Sequence, residues 1–167
     1  MQRVFNMKYT RSFNILVILA ALGILGGCKH IYTEIDIKTP PERVWRILSD
    51  IEHYPDWNPY HVKVTGTLAV GEQLDVTIHK PNGETVHIKP HVIRLEPNVE
   101  LTWGGGIKGL FHGKHVFRLE SAGNGITRLV QQEDFVGIFV PFASLDAIDE
   151  GYRLMNERLK ERAEKSN

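Results

Sequence analysis

Three polar residues occupy positions where the surrounding pattern is apolar. In the run 111–121, His115 shares one face of a predicted strand with Phe117 and Leu119. In the run 127–137, Gln131 and Glu133 share a face with Leu129 and Phe135. Strict alternation of this kind marks a half-buried strand. If the apolar members point inward, His115, Gln131 and Glu133 point inward with them. A few polar groups in an otherwise apolar enclosure are the make-up of a small-molecule site. A His–Glu pair can also carry general acid–base chemistry, or it can satisfy its own hydrogen bonds within a core. The residue types leave these three roles open. Trp103, which alternates with Leu101, joins the candidate lining, as do Leu74, Val76 and Ile78 on an earlier strand. Leu145, Ile148 and Tyr152 join it from the last helical stretch. No catalytic residue is assigned from the pattern alone.

The other histidines raise the question of a metal. His87 and His91 lie four apart on one predicted strand face with Lys89 between them, and His79 lies on the preceding strand. Four residues of strand span roughly 13 Å, too far for one ion. There is no helical His-Glu-x-x-His arrangement either. The expectation is therefore no metal and no cofactor. Gly104-Gly105-Gly106 lacks the Lys-Ser/Thr ending and following helix of a phosphate loop, and reads as a flexible loop beside a cavity mouth.

Cys28 is the only cysteine, so no intramolecular disulfide can form. It follows an uncharged, mostly aliphatic run of 13 residues, Ile15 to Gly27. Arg3, Lys8 and Arg11 precede that run, and no Asp or Glu occurs before Glu34. A membrane-spanning helix needs roughly 20 apolar residues, whereas a secretory signal core needs roughly 7–15. Residues 1–27 therefore read as a signal peptide. Leu25-Gly26-Gly27-Cys28 resembles the lipobox of bacterial lipoproteins. The resemblance implies cleavage before Cys28, a diacylglyceryl group on its thiol and acylation of its new amino group. Several acyl chains on one residue hold a protein on a bilayer where one chain would be marginal. The implied location is a bacterial cell envelope. In Gram-negative lipoproteins Asp after the cysteine favours the inner membrane, so Lys29 points to the outer one.

The whole chain has 20 basic and 20 acidic residues. Without Arg3, Lys8 and Arg11 the balance is 17 to 20. That argues against nucleic acid, which is held through clustered Lys and Arg. The remaining length suits one domain, read as 31–165, with 28–30 as a tether about 10 Å long when extended.

The elements follow from period and punctuation. Ile31, Thr33, Ile35 and Ile37 alternate as the inner face of a strand. "TPPERVWRILSD" reads as a helix, with Thr39 as cap, prolines in the first turn and Glu42 completing a capping box. "IEHYPDWNPY" is turn-rich, and Trp57 packs the early helix or edges the cavity. His61 to Val136 reads as consecutive strands, with a hairpin turn at Pro81–Gly83. Together with the first, about seven strands are expected, in an antiparallel sheet. Leu145, Ile148, Tyr152, Met155 and Leu159 form one stripe of a long amphipathic helix. Gly151 beside Tyr152 leaves room there for a ligand or a close neighbour.

With these elements in place, "IDIKTPPERVWRILSDIEHYPDWNP" resembles the opening of the START-like, or SRPBCC, helix-grip superfamily. The closer resemblance is to its polyketide cyclase/dehydrase and lipid-transport branch. "LTW", "FHGKHVFRLE", "GITRLVQQEDFVG" and the final helix resemble the later strands and grip helix of that branch. The resemblance covers about Ile31 to Ala163. It implies an α+β fold in which a curved antiparallel sheet wraps a long C-terminal helix around an internal cavity. It also implies a hydrophobic small molecule or lipid as partner, beside the membrane reached through the anchor. The leading expectation is a non-enzymatic carrier or sensor. Its rivals are a cyclase or dehydratase using His115 and Glu133, and an envelope protein-docking module.

Overall fold

The computed structural model describes residues 26–165. The expected signal segment up to Leu25 lies outside the described residues. The first strand, β1 (Gly27–Ile37), pairs antiparallel with the last, β8 (Thr127–Gly137), from Gly27 opposite Gly137 to Ile37 opposite Thr127. Ile31, Thr33 and Ile37 are buried, while Tyr32, Glu34 and Asp36 are exposed, as the alternation requires. Residues 28–30, expected as a tether, instead continue this strand. The extra length of β8 gives their backbone groups partners, and Lys29 Nζ donates to the Leu145 carbonyl at 2.7 Å. Their side chains carry no apolar alternation, so the pattern ended at Ile31.

Helix α1 (Pro41–Leu48) buries Val44 and Leu48. Pro40 is its N-cap and no side chain caps it, so the expected Thr39 capping box does not form. Thr39 stands one residue too early; its carbonyl accepts from Thr127 Oγ1 at 2.7 Å. Pro40 has no side-chain oxygen to act as a cap, and Arg43 N–H donates to its carbonyl at 3.1 Å. A 3-10 turn follows at Ile51–Asp56, with Tyr54 buried and its hydroxyl donating to the Leu48 carbonyl at 2.6 Å.

The next strands form a small sheet of β2 (His61–Thr65), β3 (Asp75–His79) and β4 (Thr85–Ile88), in that order. The chain then enters the large sheet through β5 (His91–Glu96), β6 (Glu100–Ile107), β7 (Phe111–Ser121) and β8, in the order β1-β8-β7-β6-β5. The described residues form eight strands where about seven are expected. The single strand read for His87, Lys89 and His91 breaks at Pro90, which lacks a ladder donor. Its carbonyl instead accepts from Leu74 N–H at 2.9 Å. This crossover ties the two sheets together and places His87 and His91 on different sheets.

Gly104 to Gly106 lie within β6, opposite Lys114 to His112 of β7, and are not a flexible loop. A Cβ at Gly104 would sit 2.5 Å from the Gly113 carbonyl. The glycines therefore permit close strand approach rather than mobility.

The grip helix α2 (Ile148–Glu164) packs against β1 and α1. Its buried face contains Ile148, Tyr152, Met155 and Leu159. Leu145, expected on the same helix, is buried in the segment before it. Ala147, with φ at 60°, turns the chain into the helix.

Candidate functional site

A cavity of about 270 Å³ opens between β6–β8 and the Ile88–Pro90 crossover. Trp103, Phe111 and Phe135 supply its aromatic walls. Gly104, Gly105, Gly106 and Gly113 supply backbone in place of side chains. Glu133 is the one carboxylate on the lining. The volume lies near the lower end of small-molecule sites, about 300–1,000 Å³. A larger groove of about 430 Å³ lies elsewhere, between 55–59 and the end of α2. Arg158, Glu161, Arg162 and Lys165 line it, and it is open and charged. The largely apolar cavity, whose lining carries one acid, Glu133, and one base, Lys89, is the better candidate site.

Behind Glu133 lies a chain of buried polar groups. The Tyr152 hydroxyl donates to Glu133. The same hydroxyl stands 3.4 Å from His115 Nδ1. The Gln131 side-chain amide lies 3.0 Å from His115 Nε2. With the amide donating to Nε2, a neutral His115 carries its proton on Nδ1, facing Tyr152. The Tyr152 and His115 rings stack at 4.6 Å. His61 completes the cluster. Its ring lies 5.4 Å from His115 and 5.5 Å from Trp103, and its Nδ1 is 3.3 Å from the Met155 sulfur.

Burial sets the protonation states. It lowers the pKa of His61 to about 3. Burial, with His61 nearby, also holds His115 well below the usual imidazole range. Both rings are therefore neutral at physiological pH. Burial pushes Glu133 up to about 7, against the hydrogen bond from Tyr152, which favours the carboxylate. Burial and the Glu133 charge push the Tyr152 hydroxyl well above the ordinary tyrosine value. Glu133 is thus the group on the cavity wall that changes charge near neutral pH. It can accept a hydrogen bond when ionised and donate one when protonated.

The residues singled out from sequence fall into three groups. Trp103, Glu133 and Phe135 line the cavity. His115, Phe117, Gln131 and Tyr152 form the buried layer behind it. Leu74, Val76, Ile78, Leu145 and Ile148 pack the core away from the cavity wall. His115 and Glu133 lie opposite each other across β7 and β8, and the Tyr152 hydroxyl links their side chains, donating to Glu133 and standing 3.4 Å from His115 Nδ1.

Sequence reasoning missed His61. A register shift between His61 and Lys63 breaks the alternation of β2, so both His61 and Val64 turn inward. It also missed Phe111, Gly113 and Pro90, whose roles depend on packing between elements. Gly151 accommodates Tyr60 rather than a ligand: a Cβ there would lie 2.1 Å from the Tyr60 ring. Trp57 packs edge-on against Tyr54 at 5.1 Å and takes no part in the cavity.

Solved structures share this architecture. An aromatase/cyclase from Streptomyces sp. R1128 superposes with a TM-score of 0.66 at 16% identity, covering 83% of this chain and 94% of that one. Norcoclaurine synthase from Thalictrum flavum, in complex with dopamine and hydroxybenzaldehyde, gives 0.67 at 14% identity, covering 100% and 99%. A protein from Mesorhizobium loti gives 0.62 at 21% identity, covering 83% and 99%. At such identities the likeness shows the helix-grip, START-like fold alone. Comparison with curated protein sequences gives no match. The profile of the family described as polyketide cyclase/dehydrase and lipid transport matches residues 29–164, and the chain belongs to that family.

Proposed function

We propose that this protein is a lipid-anchored envelope protein that binds a compact hydrophobic molecule, or one segment of a lipid, as a carrier or sensor. The observation that carries the reading is the apolar cavity walled by Trp103, Phe111 and Phe135, with Glu133 as its one carboxylate. Burying apolar ligand area contributes about 25 cal/mol per Å². Glu133 adds orientation by meeting one polar group of the ligand. The family description includes lipid transport, and hydroxybenzaldehyde accompanies a structural relative; both agree with an apolar ligand carrying a polar group. Attachment through an acylated Cys28, in the outer membrane of a two-membrane envelope, accords with the exposure of that thiol at the start of β1.

Native mass spectrometry of the full chain, released from detergent micelles after incubation with a membrane lipid extract, tests the binding. A non-covalent adduct is expected. Gly113→Ala is expected to weaken it about tenfold, or about 1.4 kcal/mol. The added methyl would lie 3.1 Å from Phe135 Cε1 and 3.2 Å from Glu133 Oε1, crowding both wall residues. A ligand-free spectrum at every lipid load rejects the reading.

The pKa of Glu133 favours a second reading, an enzyme of the cyclase or dehydratase type. A general acid or base works best with a pKa near the operating pH, and that of Glu133 is about 7. In this geometry Glu133 acts on the substrate, and His115 serves only through Tyr152. Turnover lost in Glu133→Gln while ligand binding persists would select this reading over the carrier.

A further inference from the structure

Eleven large apolar residues are exposed among the described residues, and six of them gather at one end of the molecule. They are Ile107, Leu110, Val136, Ile138, Phe139 and Phe142, with Phe142 84% exposed and Ile107 65%. Backbone contacts make them one patch. Ile138 N–H donates to the Gly109 carbonyl at 3.1 Å, and Phe139 N–H donates to the Leu110 carbonyl at 3.0 Å. Val136 lies opposite Cys28 on β1. A Cβ at Gly27 would be 2.7 Å from Pro141. The β6–β7 tip, the segment after β8 and the start of β1 therefore form one continuous surface.

The charge of that surface is one-sided. Segments 27–30, 107–111 and 136–142 contain no Asp or Glu and carry Lys29 and Lys108. Two carboxylates border the patch and each is paired: Asp134 with His30 at 2.6 Å, and Glu84, which accepts from Ser144 Oγ, with Lys80 at 2.7 Å. Exposed patches of this kind mark interaction sites. Apolar and aromatic side chains rimmed by lysine suit the interface of a bilayer with anionic headgroups. The chain itself supplies the direction: Cys28, the residue expected to carry the acyl anchor, lies at the edge of the patch opposite Val136.

We propose that this end inserts into the bilayer interface, with Phe139, Phe142, Ile107 and Leu110 as the inserting side chains. The surface then fixes the orientation of the domain, which an acyl anchor alone leaves free. Its orientation matters to the cavity. Gly106 and Phe111, which line the cavity, flank the tip residues Ile107 and Leu110. The cavity mouth would thus face the acyl-chain region, a direct route for an apolar ligand. This last consequence rests on the binding function proposed above; the insertion itself does not.

Full-length Phe142→Trp protein in phosphatidylcholine/phosphatidylglycerol vesicles with brominated acyl chains tests the insertion. Val99→Trp is the control, because Val99 lies in the turn just before β6, at the opposite end from Ile107 and about 26 Å away at the usual strand rise. Emission of the parent chain is subtracted, and vesicle co-sedimentation reports attachment. Insertion predicts a blue shift and bromine quenching for Phe142→Trp and neither for Val99→Trp. Attached protein with equal quenching at the two sites overturns the proposal while leaving the anchor intact. Emission already blue-shifted without vesicles and indifferent to bromine also overturns it. That outcome assigns the patch to protein, a second copy of this chain. Quenching in a protein that shows no adduct by mass spectrometry supports insertion and rejects the binding function.

Discussion

At the scale of the residue, Glu133 is the side chain on which the chemistry turns. Its pKa is raised to about 7 from an ordinary 4.5, so the folded chain holds a proton there that the unfolded chain has released. Between those values stability falls as pH rises, and above pH 7 the full penalty remains. Glu133→Gln keeps an acceptor for Tyr152 and has nothing to ionise. It is therefore expected to be more stable than the parent at pH 8 by about 1–3 kcal/mol. The gain should shrink to about 0.4 kcal/mol by pH 4.5, where the folded carboxyl is protonated and the unfolded one half protonated. Urea denaturation of the two proteins at pH 8 and 4.5 measures the difference. An equal gain at both pH values would mean that the effect is packing rather than charge. The alternation of 127–137 was enough to turn Glu133 inward in the sequence. What it could not provide was Tyr152, which reaches the carboxyl from a helix begun eleven residues after β8 ends.

At the scale of the element, glycine positions decide how closely strands and helix approach. Gly151 lets α2 lie against the ring of Tyr60, which in turn packs edge-on against Tyr152 at 5.3 Å. Both atoms nearest a Cβ at Gly151, at 2.1 and 2.3 Å, belong to that buried ring. The ring is enclosed and has little space to yield. Gly151→Ala is expected to lower stability by about 1–3 kcal/mol, as overpacking does, despite the better helix propensity of alanine. A rise in the urea midpoint would overturn this account of Gly151. The proline at 90 acts in the opposite sense, dividing one apolar run into two strands of different sheets. Periodicity placed both halves on strands, but it did not show the division, because a crossover preserves the local pattern on either side.

At the scale of the whole molecule, the buried cluster makes stability depend on pH. His61 and His115 are neutral when folded and take up protons below about 6.5 only on unfolding. Their depressed pKa values contribute stability that is complete above pH 6.5 and declines as pH falls. Glu133 acts in the opposite direction from 4.5 to 7. The net difference between pH 4.5 and 6.5 is one proton more on the unfolded chain, or about 1.4 kcal/mol lost per pH unit on acidification. The lowered carboxylates Asp36 and Glu84 act at lower pH, and the raised His53 acts at higher pH, so this window is uncrowded. His61→Phe removes one of the two imidazoles and is expected to bring the slope close to zero. Denaturation midpoints across pH 4.5–6.5 give the two slopes. An unchanged slope would show that His61 is not the neutral buried group described above.

The sequence alone determined which faces of β1, β7 and β8 turn inward, the stripe of the grip helix and the inward orientation of His115, Gln131 and Glu133. It also carried the resemblance to the family. These features are local: backbone geometry fixes the periods of 2 and 3.6, and apolar residues must follow them to be buried. The tertiary structure decided the rest. It put Tyr152 between Glu133 and His115, turned His61 inward through a bulge, and closed a cavity against Pro90. It also gathered Phe139 and Phe142 with Ile107 beside Cys28. Each of those outcomes depends on register and approach between elements distant in the chain. Such relations are set by packing across the whole core, and no repeat within a single element encodes them.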